Sequence, residues 1–194
     1  ANSPADILIT VDGGRLWRAE QAGIFAPVDS AVLNKQIPAN LRDPNNLWFA
    51  FSKRARVIMY NKDKVDPTDI DTYEDLADPK WKSKLIMRSS SNIYNQSLVA
   101  GMIEEKGEQA TSEWIKGLVA NFARPPQSTD TGNIEAVAAG IGDVTLANTY
   151  YLARYEEQPE IFSKIGVIFP NQEDRGTHIN VSGAGLLKNA PDKK

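Results

Sequence analysis

Short apolar runs alternate along this chain with stretches of helical apolar spacing, and no other feature constrains the fold as strongly. Asp6–Val11, FAPVDS, Leu47–Phe51, Arg56–Tyr60, KLIM, DVTLAN, KIGVIFP and HINVSGAG read as strands. Between them GRLWRAEQAG, NIYNQSLVAGMIEEKG, TSEWIKGLVANF, NIEAVAAG and TYYLARYEEQP carry helical spacing, and YEDLADPKW reads as a short capped helix and turn. Strands and helices in this rhythm predict βαβ units, hence an α/β chain with mainly parallel sheets flanked by helices. The two long polar connections fall near 34–46 and 124–133.

Composition narrows the function classes. The net charge of −3 comes from 25 acids against 22 bases without long runs, so no basic face for nucleic acid is expected. No apolar run reaches the length of a membrane span. There is no cysteine, which removes disulfides, thiolate metal sites and cysteine nucleophiles together. The opening ANSPADILIT lacks the basic region and apolar stretch of a signal peptide and enters a strand by Asp6, while GLLKNAPDKK ends without a closing element. The sequence reads as one lacking both ends of a longer fold.

In open α/β sheets, ligands meet the loops at the carboxyl ends of strands. Two such loops carry tyrosine: RSSSNIYNQ after KLIM, with Tyr94, and NTYYLARY after DVTLA, with Tyr150 and Tyr151. Adjacent side chains on a strand face opposite ways, whereas at the first turn of a helix they diverge by about 100°, so two long ones can reach one point. Thr149 or Asn148 can cap that helix. Gathered phenols need compensation to ionise, since a phenol keeps its proton to about pH 10. A hard, highly charged cation such as Fe³⁺ supplies it; softer divalent ions select His or Cys, of which there are one and none. The ordinary alternative is packing, with the ring covered and the hydroxyl wet. Packing is the reading for Tyr60, Tyr73 and Tyr155, and it stays open for the other three.

YEDLADPKWKSKLIMRSSSNIYNQSL, GDVTLANTYYLARY and INVSGAGLLKNAP, together with NLWFAFSKRARVIMYNKDKV, resemble the ferric-iron-binding periplasmic proteins of ABC-type iron uptake, closest to their tyrosine-rich, Fut-type subgroup. That resemblance implies a type II periplasmic-binding-protein fold with two lobes. Residues 1–56 and 178–194 would be a partial first lobe and 57–177 the second, with a hinge near 54–60 and 176–182. It implies Tyr94, Tyr150 and Tyr151 as phenolate ligands of a transported Fe³⁺, with a synergistic anion such as carbonate. It also implies a periplasmic location, delivery to an ABC permease as the only association with a membrane, and no catalysis. Further ligands of the family, commonly a His and a Tyr, lie near the mature amino terminus, outside this sequence. The sole histidine, His178, reads as structural.

With that cargo, Arg54 and Arg154 read as guanidinium groups that lower phenolate pKa values and hold the anion, and Asn148 as a group that orients an anion or water. Arg154 follows Tyr150 and Tyr151 at spacings that share a helical face. Arg42 and Arg56 read as ordinary solvated charges. SSSN (89–92) and STDTGN (128–133) precede helices, whose starts bind anions. Competing readings keep the fold but take an organic anion, sugar or polyamine, make a tyrosine the acid or base of an enzyme, or place the chain in a regulator as its effector-sensing domain. The enzyme reading lacks a nucleophile–base set, a Walker-type loop and paired carboxylates.

Overall fold

The computed structural model describes residues 3–191. The chain divides into two compact units: one takes the residues up to Lys53 together with those from Asn180 onward, the other is Arg54–Ile179.

In the first unit, strands β1 (Ile7–Val11) and β2 (Phe25–Ala26) both pair antiparallel with β7 (Ile179–Leu187), β1 in the register Ile7 opposite Leu186 to Val11 opposite Ser182. Helix α1 (Gly13–Gln21) starts where Asp12 accepts a hydrogen bond from the Gly14 N–H at 2.8 Å, satisfying a donor the helix leaves unpaired. The Asp12 carboxylate also accepts from Asn180 at 2.5 Å. Leu16 and Phe25 are buried in this unit, and α2 (Ala31–Gln36) is capped by Ser30.

The second unit is built on β3 (Phe49–Asn61), whose residues from Arg54 onward belong to it. The two strand runs expected on either side of SKRAR are one continuous strand. β3 pairs antiparallel with β5 (Val144–Asn148) and β6 (Ile165–Ile168); β4 (Leu85–Ile86) pairs parallel with β5. The expectation of mainly parallel sheets is therefore overturned: the ladders are mixed and mostly antiparallel. Burial on both faces hides strand direction from the sequence. Ile58, Val144 and Leu146 face one apolar cluster with Trp114 and Leu118, while Val57, Met59 and Ala147 face another with Ile134 and Val137. A strand covered on both sides reads as a continuous apolar run whichever way its neighbours point.

Helices cover these faces. α3 (Ile93–Ala120) joins the two helices expected there, with a break at Gly107, whose φ of 82° is one that glycine adopts without strain. Leu98 and Met102 before the break and Trp114 and Leu118 after it enter the same cluster. α4 (Asp130–Ala138) packs on the other face. The helix expected over TYYLARYEEQP is only α5 (Tyr150–Ala153), followed by α6 (Pro159–Phe162). YEDLADPKW forms two 3-10 turns, Glu74–Ala77 and Pro79–Trp81. Among the described residues no helix is long and apolar enough to cross a membrane.

Candidate metal centre

The parallel ladder between β4 and β5 ends two strands side by side, Ile86 opposite Thr145, and both following turns carry tyrosine. Tyr94 lies in the first turn of α3, where the Asn92 side chain accepts from its N–H at 3.0 Å. Tyr150 opens α5 directly after β5. Its hydroxyl stands 3.5 Å from that of Tyr94, and the rings of Tyr150 and Tyr151 are 4.4 Å apart with 35° between their planes. The expected cap of α5 is absent: Thr149 makes no side-chain capping bond, and the Asn148 amide instead donates to the Tyr150 hydroxyl at 3.4 Å. Among the described residues no group of three or more His, Asp or Glu side chains gathers where it can hold a metal. The donors brought together here are hydroxyl oxygens, a set that suits a hard cation.

Guanidinium groups surround the phenols. Arg54, buried, lies over the Tyr94 ring at 5.4 Å, Arg88 over the same ring at 5.8 Å, and Arg154 over Tyr151 at 5.0 Å. Burial raises the Tyr151 pKa above the ordinary phenol value, neighbouring Tyr150 adds to the rise, and a hydrogen bond from Arg88 opposes it. Burial thus opposes ionisation of the Tyr151 phenol.

Four residues of this neighbourhood escaped the sequence reading. Arg56, expected as a solvated charge, is 1% exposed and forms a two-pronged ion pair with Asp130, at 2.9 and 3.3 Å. It also donates to Asn95 at 2.7 Å and to Asn148 at 3.4 Å. Arg88 reaches the same Asp130 carboxylate at 3.3 Å. The signal was present for Arg56: an arginine inside the apolar run ARVIMY must be buried with a partner or turned out of the strand. Nothing local marks Asp130, since an acid at a helix start is ordinary capping chemistry. Its side chain is fully buried, so STDTGN is tied up in this ion pair at that residue.

The remaining tyrosines pack. Tyr73 is 1% exposed, and its hydroxyl donates to the Arg56 carbonyl and accepts from the His178 N–H at 3.2 Å. The Tyr155 hydroxyl, with one proton to give, donates to Glu135 at 2.8 Å and lies 3.2 Å from the Thr131 carbonyl oxygen. His178 serves through its backbone, its carbonyl accepting from the Arg56 N–H at 2.9 Å.

An α/β chain with clustered polar groups at adjoining strand ends has the architecture of a ligand-capturing protein, and this chain belongs to the bacterial extracellular solute-binding protein family, whose model matches residues 2–194. Over its whole length it is 59% identical to iron uptake protein A1 and 55% identical to iron uptake protein A2, both of Synechocystis sp., covering 55% and 58% of those proteins. The Trichodesmium protein IdiA, or FutA, solved in complex with iron and citrate ligands, superposes on the whole chain with a TM-score of 0.95 at 61% identity; 63% of that protein is covered. The chain spans about half the length of the curated relatives it matches.

Proposed function

We propose that Tyr94, Tyr150 and Tyr151 supply three phenolate oxygens to a ferric ion in a periplasmic solute-binding protein that hands its cargo to an ABC permease. The observation that carries the reading is the convergence of hydroxyls from two turns, 3.5 Å apart between Tyr94 and Tyr150, with the tilted Tyr151 ring against that of Tyr150. Ferric iron displaces the phenolic protons because a trivalent charge outweighs the cost of ionising a group whose ordinary pKa is about 10. Three phenolates and Fe³⁺ sum to zero charge. Arg54 and Arg154 then stand where they stabilise the phenolates and hold an anion such as carbonate on the ion, with Asn148 orienting it or a bound water. The Arg54–Ile179 unit is one lobe of the fold, and the chain captures and delivers without catalysing a reaction. The similar proteins named for iron uptake support the same cargo.

Titration of the purified chain with ferric citrate tests this. Phenolate-to-iron charge transfer absorbs visible light, so the loaded chain is coloured and its thermal midpoint rises on loading. A chain that stays colourless and melts at the same temperature with and without ferric citrate is not a ferric-binding protein. Stabilisation by a sugar or polyamine instead moves the cargo to that class.

A further inference from the structure

Arg56 reaches both tyrosine-bearing turns. Its Nη2 donates to the Asn95 Oδ1 at 2.7 Å, and Asn95 follows Tyr94 in the chain. The other end of that amide donates to the carbonyls of Arg88 at 2.8 Å and Ser89 at 3.4 Å, closing the turn that leads into α3. Its Nη1 donates to the Asn148 Oδ1 at 3.4 Å, and the far end of that amide donates to the Tyr150 hydroxyl. The guanidinium is held by Asp130, and the backbone on both sides of the side chain is pinned, by the His178 carbonyl and by the Tyr73 hydroxyl.

Donor chemistry then dictates orientation. A guanidinium has N–H groups and no lone pair to offer, so an amide that faces it must present its oxygen. The NH₂ of Asn148 is thereby turned toward Tyr150, where only an oxygen lone pair can meet it. A donor at that place meets the Tyr150 oxygen as an acceptor, the role that an oxygen bound to a cation keeps.

We infer that Arg56, anchored by Asp130, is a positioning residue: it sets the spacing of the two tyrosine turns and fixes Asn148 as a hydrogen-bond donor to the Tyr150 oxygen. The inference rests on the ferric reading above and adds a residue that touches none of the phenol oxygens itself. A lysine at 56 keeps the charge opposite Asp130 but replaces the planar fork by a point donor, which cannot hold Asp130, Asn95 and Asn148 in one plane.

The test is a double-mutant cycle on the chain, with ferric citrate as probe and the charge-transfer band as readout. Arg56→Lys is expected to weaken ferric binding about tenfold and to shift the band, with the metal-free thermal midpoint recording the separate effect on folding. In the Asn148→Leu background the same replacement is expected to cost several-fold less, because its route to Tyr150 is already cut and only the contact with Asn95 remains. Equal losses in both backgrounds, or an unchanged band, overturn the inference. If Arg56→Lys does not fold, Asn148→Leu alone decides: an unmoved band removes the donor to Tyr150, and with it the role of Arg56. An unmodified chain that binds no iron overturns the ferric reading instead, and the two failures are distinct.

Discussion

Tyr94 and Tyr150 bring their hydroxyls to 3.5 Å although 56 residues separate them. What unites them is the pairing of β4 with β5, which ends two strands at one level. Each phenol is therefore expected to be individually necessary for a full ferric site. Tyr94→Phe and Tyr151→Phe should each weaken ferric binding by about a hundredfold or more, about 2.7 kcal/mol, and reduce or shift the visible band. Absorbance titration against a competing chelator measures both; a variant that keeps the affinity and the band is not a ligand position.

Loading must expel protons. Tyr151 holds its proton more tightly than an ordinary phenol, because burial and neighbouring Tyr150 both oppose its ionisation. Ferric binding is expected to release about three protons and to weaken steeply as the pH falls. A titration at constant pH that counts base consumed per iron, corrected for the iron salt alone, measures this. Arg154→Ala should raise the pH at which the colour is lost, since the guanidinium over the Tyr151 ring favours its anion.

Tyr73 makes an alkaline prediction independent of iron. Burial pushes its pKa well above the ordinary value, against the opposing pull of its hydrogen bond with His178. The folded chain keeps this proton after the unfolded chain has lost it, so the contribution to stability is complete below about pH 10 and declines above it. The slope is about 1.4 kcal/mol per pH unit until the folded state ionises as well. Denaturant midpoints between pH 8 and 11.5 should fall less steeply for Tyr73→Phe, which also begins about 1 kcal/mol lower for its lost hydrogen bonds.

The Arg56–Asp130 pair is 1% and 0% exposed, so removing one partner strands a buried charge. Asp130→Ala should cost about 3–5 kcal/mol in denaturant unfolding of the metal-free chain. A loss below about 1 kcal/mol would show that water reaches Arg56 once the carboxylate is gone.

Gly117 lies in the second half of α3, where a methyl group would sit 2.6 Å from the Ala77 Cβ and 2.9 Å from the Ala77 carbonyl oxygen. Alanine ordinarily favours a helix over glycine by about 1 kcal/mol. Here the clash with backbone reverses the sign, and Gly117→Ala should destabilise by about 1–3 kcal/mol. A thermal midpoint that rises would mean the 3-10 turn at Glu74–Ala77 yields easily.

The tyrosine cluster was legible because it depends on local order: strand, turn, helix, with the phenols at the turn. Residue spacing could place Tyr94, Tyr150, Tyr151 and Arg154 without knowing strand direction. Direction itself was hidden, since β3 and β5 are covered on both faces and their apolar runs carry no alternation. Arg56 and Asp130 were hidden for a different reason. Their roles exist only as a pair 74 residues apart in the chain. Arg56 carries a local sign of burial in its apolar run, but nothing near it names the partner, and Asp130 alone looks like a commonplace helix-start acid.

The parallel step between β4 and β5 has a last consequence. Among the ladders described in the Arg54–Ile179 unit, the others run antiparallel, so neighbouring strands finish at opposite rims. Among the described ladders of this unit, that step is where two exits from the sheet share an edge, and Tyr94, Tyr150 and Tyr151 stand there. Under the ferric reading, differences in cargo between relatives are expected in some fourteen positions, about 88–94 and 148–154, with Arg54 and Arg56 of β3 as the sheet's own contribution.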